Sequence, residues 1–396
     1  MKTLILLGLL ALPALSLAQS DDGLEPGLFR LNPGPWGELE AQTLQLTPDR
    51  GWIEKNQDLE AEGETVWDFV APSEAKLRAL LGEVGFEAAA VQQLLASERT
   101  KIGPETNQGR HYAIRPTPEM IESLTPANRS DLYNFIRASG ANSHFLHSAT
   151  IENDDALAWF NHFGVSKSVA ELAAGLCYNR GRSIAFSDHI YVLSGVADRE
   201  EKINFYQAIH QTSALSLRLR LTPESDVEAL SRYWSEPGKT ESAQAKLRSL
   251  VPRTGERWLD IAHLFPRTLG SRLNTFRTNF DVNSSQPDCR WTALNFFAEI
   301  TSERHADVDE NFDQILAEFY EPTLPPFRFG DVIAIRDQES GILAHTCVYV
   351  ADDVVFTKNG RGASRPWILQ RDSHLSRIYV MERPVRMAGF RLKRRS

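Results

Sequence analysis

Apolar residues recur at helical spacing through most of the first 240 residues. Residues 75–96 form one long amphipathic run, and Ile203, Tyr206 and Ile209 share a face of a later helix. Thr117 precedes a proline, which is typical of a helix cap followed by proline at the first helical position. The pattern predicts an all-α domain over residues 46–240.

A different pattern occupies the last third of the chain, beyond a polar stretch at residues 235–242. Residues 329–335, 344–350 and 354–357 are predicted strands, and residues 377–381 are a predicted last strand. A helix that begins at Cys289 precedes them. Its apolar face is formed by Ala293, Phe296, Phe297 and Ile300. We expect an α+β domain over residues 250–396, with this helix ahead of an antiparallel sheet.

The N-terminus has the features of a secretory signal. A lysine near the start is followed by an apolar run over residues 4–17 and a small-residue cleavage site at Ser16-Leu17-Ala18. The sequence predicts a signal peptide over residues 1–18 and a secreted or periplasmic protein. Residues 19–45 hold three prolines and four glycines, which favours an extended lead-in. No later apolar run is long enough to cross a bilayer.

The net charge and the number of cysteines limit the classes of function that the sequence allows. The formal net charge of −9 argues against a nucleic-acid partner, and the basic run at residues 391–395 is interpreted as a solvated terminus. Three cysteines in a chain exported to an oxidising compartment leave at least one thiol unpaired. Cys177 is expected in a helix core. Cys347 is expected to pack in the core beside His345.

Cys289 is the candidate nucleophile. Asp288 is a helix-capping residue type, and the first turn of a helix stabilises an anion, which favours the thiolate. His345, at the head of a predicted strand, is the candidate general base. The alternative for Cys289 is a structural cysteine, and the alternative for His345 is a hydrogen-bonded core histidine.

The order of these motifs resembles the NlpC-type cell-wall peptidases of the papain-like cysteine peptidase superfamily. Asp288-Cys289, Gly330-Asp331 and the His-x-x-x-Tyr that begins at His345 match that family's pattern over about residues 280–380. Arg290-Trp291 departs from the small residues that usually follow the cysteine. The resemblance implies a papain-like domain that cleaves a peptidoglycan peptide, with no metal or organic cofactor.

The third catalytic residue is left between two candidates. The resemblance places a polar residue about a dozen positions after the histidine, where Thr357 stands. Asn359 would share its strand face and is the chosen orienting residue, because a carboxamide accepts an imidazole N–H well. The alternative for Asn359 is a turn, since Asn-Gly is a strong turn signal.

Two further roles are assigned around the nucleophile. The Cys289 backbone N–H is the expected oxyanion donor, with Asn283 or Gln286 as a side-chain partner. Trp291 is the candidate substrate-binding residue, and a buried core tryptophan is the alternative.

The favoured function is a secreted cysteine hydrolase that cleaves an amide bond. The alternatives are a non-catalytic binding or assembly protein of the cell envelope and an acyltransferase of the same fold. The expected partner is a peptide or a peptidoglycan-derived substrate. The bond cleaved, the role of the N-terminal domain and the oligomeric state are not determined by the sequence.

Overall fold

Helices and antiparallel strands alternate along the chain and are organised around one large sheet. The computed structural model describes residues 27–60, 63–106, 109–139, 148–152, 155–181, 183–277, 287–297, 305–379 and 384–393. An α+β fold with antiparallel sheets is therefore confirmed. The predicted signal peptide lies outside the described residues. Among the helices in the described ranges, none has the length and apolar content that a membrane span requires.

The strands are β1 (Leu28–Arg30), β2 (Leu39–Leu46), β3 (Trp67–Ala71), β4 (Thr100–Thr106), β5 (Gly109–Ile114), β6 (Ala149–Ile151), β7 (Tyr178–Arg180), β8 (Ser183–Phe186), β9 (Thr212–Leu221), β10 (Arg257–Asp260), β11 (Tyr320–Thr323), β12 (Val332–Asp337), β13 (Leu343–Ala351), β14 (Val354–Lys358), β15 (Trp367–Arg371) and β16 (Val385–Leu392).

The helices are α1 (Arg50–Asn56), α2 (Glu74–Glu83), α3 (Ala88–Ala96), α4 (Pro118–Ser123), α5 (Pro126–Ser139), α6 (Ala156–His162), α7 (Lys167–Gly175), α8 (His189–Ser194), α9 (Arg199–His210), α10 (Val227–Tyr233), α11 (Thr240–Leu250), α12 (Arg267–Gly270), α13 (Cys289–Leu294), α14 (His305–Phe319) and α15 (Asp372–Tyr379). A 3₁₀ turn spans Ile261–Leu264.

The large sheet contains strands from both ends of the chain. Its order is β1-β2-β9-β15-β14-β13-β12-β16-β11, with β10 paired to the side of β9. β2 pairs with β9 along its whole length, and β9 meets β15 where Leu215 faces Leu369. The expected extended lead-in at residues 19–45 therefore contains sheet strands over its described part. The polar stretch at residues 235–242 does not separate the sheet from the chain before it.

The prediction of an all-α domain over residues 46–240 is wrong. Two three-stranded sheets lie in it, with the orders β3-β5-β4 and β6-β8-β7. Residues 75–96 form two helices rather than one, because the chain turns at Gly85, which has a φ of +95° that other residues rarely adopt. The elements pack around an apolar core formed by residues between Trp52 and Ile209, together with Ala363.

A buried ion pair lies in this N-terminal core. Arg129 Nη1 donates to Asp188 Oδ2 at 2.6 Å, and both residues are 1% exposed. Arg129 Nη2 also donates to the Ile121 carbonyl at 2.5 Å, and the Tyr133 hydroxyl donates to the second oxygen of Asp188. Burial raises the pKa of the Asp188 carboxyl, and the charge of Arg129 opposes that effect.

The two faces of the large sheet carry different layers. Val348, Val354 and Phe356 belong to the main core, which also contains the apolar residues of α13. Cys347 and Val355 point to the opposite face, where they pack with Leu375 of α15. Because side chains alternate along a strand, neighbours on β13 and β14 are assigned to opposite faces.

The chain ends differently from the sequence expectation. Residues 377–379 belong to α15, so the predicted strand at 377–381 is wrong over its described part, and the last strand of the described residues is β16. Arg391 lies in β16 and pairs with both oxygens of Asp331, at 2.9 and 2.6 Å. Asp331 follows Gly330, whose φ is +89° and whose added Cβ would lie 1.8 Å from Phe297. The Gly-Asp motif is thus held by the start of the basic tail, which was expected to be solvated.

Arg391→Ala should lower the free energy of unfolding by about 2 kcal/mol, because it removes the partner of a largely buried carboxylate. The Asp331 side chain is 3% exposed and would keep its bond from the Arg328 N–H alone. Urea unfolding measures the loss. Arg386→Ala, on an exposed position of the same strand, should change stability by less than about 0.5 kcal/mol. Equal effects of the two substitutions would contradict the assignment.

Candidate functional site

Cys289 is the first residue of α13, as predicted. The Asp288 carboxylate caps the helix, because its Oδ1 accepts from the Arg290 N–H at 2.8 Å and from the Trp291 N–H at 3.0 Å. The Thr292 hydroxyl donates to the Asp288 carbonyl at 2.7 Å. Cys289 is half-buried. Local capping chemistry therefore fixes the position of the thiol.

The protonation state of the thiol differs from the expectation of a thiolate. Burial raises the pKa of Cys289 to about 11, and the nearby Asp288 charge adds to the rise. Hydrogen bonding by Thr346, the residue after His345, lowers the pKa of Cys289 in part. Desolvation and the cap carboxylate thus both favour the neutral thiol in the free protein at neutral pH.

His345 lies near the start of β13 and is 1% exposed. Its Nε2 is 2.8 Å from the Thr357 hydroxyl, which donates to the Thr346 carbonyl at 3.3 Å. Because the hydroxyl hydrogen is used on that carbonyl, we assign the proton to Nε2 of His345 and the lone pair to Nδ1. Nδ1 is buried without a hydrogen-bond partner among the described residues. Burial lowers the pKa of His345 to about 3.

The imidazole and the thiol are not hydrogen-bonded to each other in the described structure. The ring of His345 stacks on Tyr379 of α15, with centroids 4.0 Å apart and an interplanar angle of 14°. It therefore belongs to the α15 face of the sheet, whereas α13 packs on the other face. Burial raises the pKa of Tyr379 and of Cys347, and the charge of a Cys289 thiolate adds to both rises.

The choice of Asn359 as the residue that orients His345 is wrong. Asn359 Nδ2 donates to Gln370 Oε1 of β15 at 3.1 Å, and Thr357 contacts the imidazole instead. Asn359 lies beyond the last residue of β14, where Lys358 pairs with Trp367. Pairing with β15 therefore directs the carboxamide toward that strand and away from β13.

Thr357→Val should reduce turnover by about tenfold or more, because it removes the acceptor that selects the Nε2–H tautomer of His345. Asn359→Ala should have a smaller effect, since its carboxamide contacts Gln370. Steady-state kinetics on the substrate used to test the function below measures both. A larger loss in Asn359→Ala than in Thr357→Val would contradict this role for Thr357.

Trp291 lies in the core rather than in an open cleft, with 7% of its surface exposed. The Arg272 guanidinium is 5.3 Å from its ring centroid and 5.0 Å from that of Trp367. The Trp367 indole N–H donates to the Thr292 hydroxyl at 3.0 Å. The two tryptophans thus fix α13 against the sheet, which matches the alternative reading of Trp291.

Sequence reasoning missed Lys358. It is 0% exposed and ends β14 on the face that carries Val354 and Phe356. Strand alternation in Val354–Lys358 was the available signal, because it assigns the lysine to the apolar face that α13 covers.

The remaining candidate residues are either buried free thiols or fall outside the described residues. All three cysteines are free thiols, and Cys177 and Cys347 are buried, as predicted. Asn283 and Gln286, the suggested oxyanion donors, lie outside the described residues. Within the described ranges, no group of three or more His, Cys, Asp or Glu converges as metal ligands.

Comparison with known proteins identifies no relative: no protein-family model, no curated protein and no solved structure matches the chain. The site is therefore interpreted from its own residues and geometry.

Proposed function

We propose that the protein is a secreted cysteine hydrolase that cleaves an amide bond through a thioester on Cys289. In this proposal His345 is the base, and Thr357 holds it. The proposed substrate is a peptidoglycan peptide and the proposed domain architecture is papain-like, both on the resemblance of the Asp-Cys, Gly-Asp and His-x-x-x-Tyr motifs to NlpC-type peptidases.

The observation that carries the proposal is the hydrogen bond between His345 Nε2 and the Thr357 hydroxyl. A general base must present a lone pair, and its other nitrogen must be held by a third group. The Thr346 carbonyl fixes the Thr357 hydroxyl, the hydroxyl accepts from Nε2, and Nδ1 is left as the acceptor.

In the proposed reaction a thioester forms on Cys289 and is then hydrolysed, with His345 carrying the proton in both stages. The Cys289 sulfur attacks the substrate carbonyl carbon as its proton passes to His345 Nδ1, and the Cys289 backbone N–H at the helix start stabilises the oxyanion. The C–N bond then breaks, and the imidazolium returns the proton to the leaving amine. Water adds to the thioester with His345 as base, and the acid product leaves with the thiol restored. In an acyltransferase, an amine replaces that water.

A non-catalytic binding protein is the alternative. It is favoured by the neutral thiol and by the absence of a hydrogen bond between Cys289 and His345 among the described residues. Such a protein would use the same surface for recognition and form no thioester.

The test uses the protein without residues 1–18 and a mixture of peptidoglycan fragments. We expect new amine termini, a Cys289-linked acyl adduct by mass spectrometry, and loss of both in Cys289→Ala. Cys177→Ala is the matched control, since that thiol donates to the Ala173 carbonyl inside the N-terminal core. Equal product from wild type and Cys289→Ala would exclude the nucleophile. Fragment binding without cleavage or adduct would establish the binding protein.

A further inference from the structure

A fully buried lysine lies on the same side of the sheet as the nucleophile. Lys358 Nζ donates to the Gly360 carbonyl at 2.7 Å and to the Gly362 carbonyl at 2.9 Å, and it lies 5.4 Å from the Trp367 ring centroid. No carboxylate of the described residues lies within salt-bridge distance of it. A buried ammonium without a carboxylate at salt-bridge distance is costly, which makes Lys358 a candidate for a functional role.

The loop that Lys358 holds leads directly to the start of α13. Arg361 lies between the two glycines, and its Nε is 3.7 Å from Asp288 Oδ2. Asp288 caps the helix that begins with Cys289. Trp367, the ring beside Lys358, donates to Thr292 in the same helix. The loop that Lys358 holds and the ring beside it thus both contact the first turns of α13, the helix that begins with Cys289.

Charged groups on the neighbouring elements affect the pKa of Lys358. Asp288 and a Cys289 thiolate, both on the α13 side, raise the pKa of Lys358. Arg365 beyond β14 and Arg277 before α13 lower it. Burial is the largest effect and sets the pKa of Lys358 at about 7. Lys358 therefore changes its charge around neutral pH, and a thiolate on Cys289 favours its charged form.

A positive charge near Cys289 would assist formation of the thiolate. Burial raises the pKa of Cys289 and lowers that of His345, so desolvation opposes transfer of the thiol proton to the imidazole. A cation beside the sulfur would stabilise the thiolate during attack.

We propose that Lys358 is a positioning residue whose buried ammonium stabilises the Cys289 thiolate from the sheet side, while His345 exchanges the proton. This rests on the proposed function, because it requires Cys289 to act as a nucleophile. The ammonium is present below about pH 7 and is lost as the pH rises, so its influence on the thiol should fade over the same range.

The test compares the alkylation rates of Cys289 by iodoacetamide in wild type and Lys358→Met from pH 5.5 to pH 9. Met keeps most of the buried volume and removes the charge. The wild-type rate should exceed the variant rate by about tenfold at pH 6, which is one pK unit in the thiol, and the ratio should fall toward one by pH 9. A ratio near one throughout, or a ratio independent of pH, would overturn the proposal.

Two more variants separate charge from structure. Lys358→Gln retains donors for the Gly360 and Gly362 carbonyls without the charge, and it should behave like Lys358→Met. Wild-type reactivity in Lys358→Gln would assign Lys358 to holding the loop and overturn the charge role. Lys393→Met is the matched control, since Lys393 also donates to two carbonyls, those of Ala317 and Glu318, and should leave the ratio unchanged. Alkylation needs no substrate, so these outcomes are independent of whether peptidoglycan is cleaved.

Discussion

Alkylation of Cys289 in the free wild-type protein should accelerate at least about a hundredfold between pH 7 and pH 10. The thiolate is the reacting form, and burial together with the Asp288 charge raises the pKa of this thiol to about 11. Deprotonation therefore continues throughout that range, and the rate should level off only near pH 11. Iodoacetamide labelling followed by peptide mass spectrometry gives the rate at each pH.

Cys289→Ser is the control for this profile. Burial raises the pKa of Cys177 to about 12 and also raises that of Cys347, so neither thiol should replace the lost signal. A thiolate paired with an imidazolium would instead give a rate that is already constant between about pH 5 and pH 8. Such a plateau would show that the free protein holds a charged pair, contrary to the neutral thiol described here.

Asp188→Ala should lower the free energy of unfolding by about 3–5 kcal/mol, because it leaves a buried guanidinium without its carboxylate. The Arg129 and Asp188 side chains are 1% and 0% exposed, so water cannot replace the lost partner without opening the core. The Tyr133 hydroxyl also loses its acceptor on Asp188. Urea unfolding followed by tryptophan fluorescence measures the change.

A surface ion pair provides the matched comparison. Glu228 and Arg232 pair across one helical turn with side chains 67% and 60% exposed, so Glu228→Ala should cost no more than about 0.5 kcal/mol. Removing both buried charges, as in Arg129→Met with Asp188→Leu, should recover much of the loss. A cost below about 1 kcal/mol for Asp188→Ala would mean that the pair is not buried in solution.

The predicted all-α N-terminal region contains strands whose alternating apolar residues are visible in the sequence. Leu215, Leu217, Leu219 and Leu221 alternate strictly, and β9 buries them along a ten-residue strand. The same alternation occurs in Trp67–Ala71. Both signals were present in the sequence but lay between helical runs. Two of the partners of β9 are far away in the chain, at residues 39–46 and 369.

Some features of the site were determined by the sequence alone. The start of α13 at Cys289 follows from the short polar side chain of Asp288 and the apolar spacing after it, which are local properties. β13 and β14 follow from their apolar runs and the turn between them. Cys177 is buried as expected, but it lies beyond the end of α7 at Gly175 rather than in a helix.

Other features were decided only by the tertiary structure. Thr357 rather than Asn359 meets His345 because β14 pairs with β15, whose Gln370 takes the carboxamide. The neutral thiol and imidazole result from desolvation, which depends on how α13 and α15 cover the sheet. Sequence fixes which groups can ionise and where local elements begin, whereas burial and pairing across the sheet fix their charge and their partners, because these depend on residues distant in the chain.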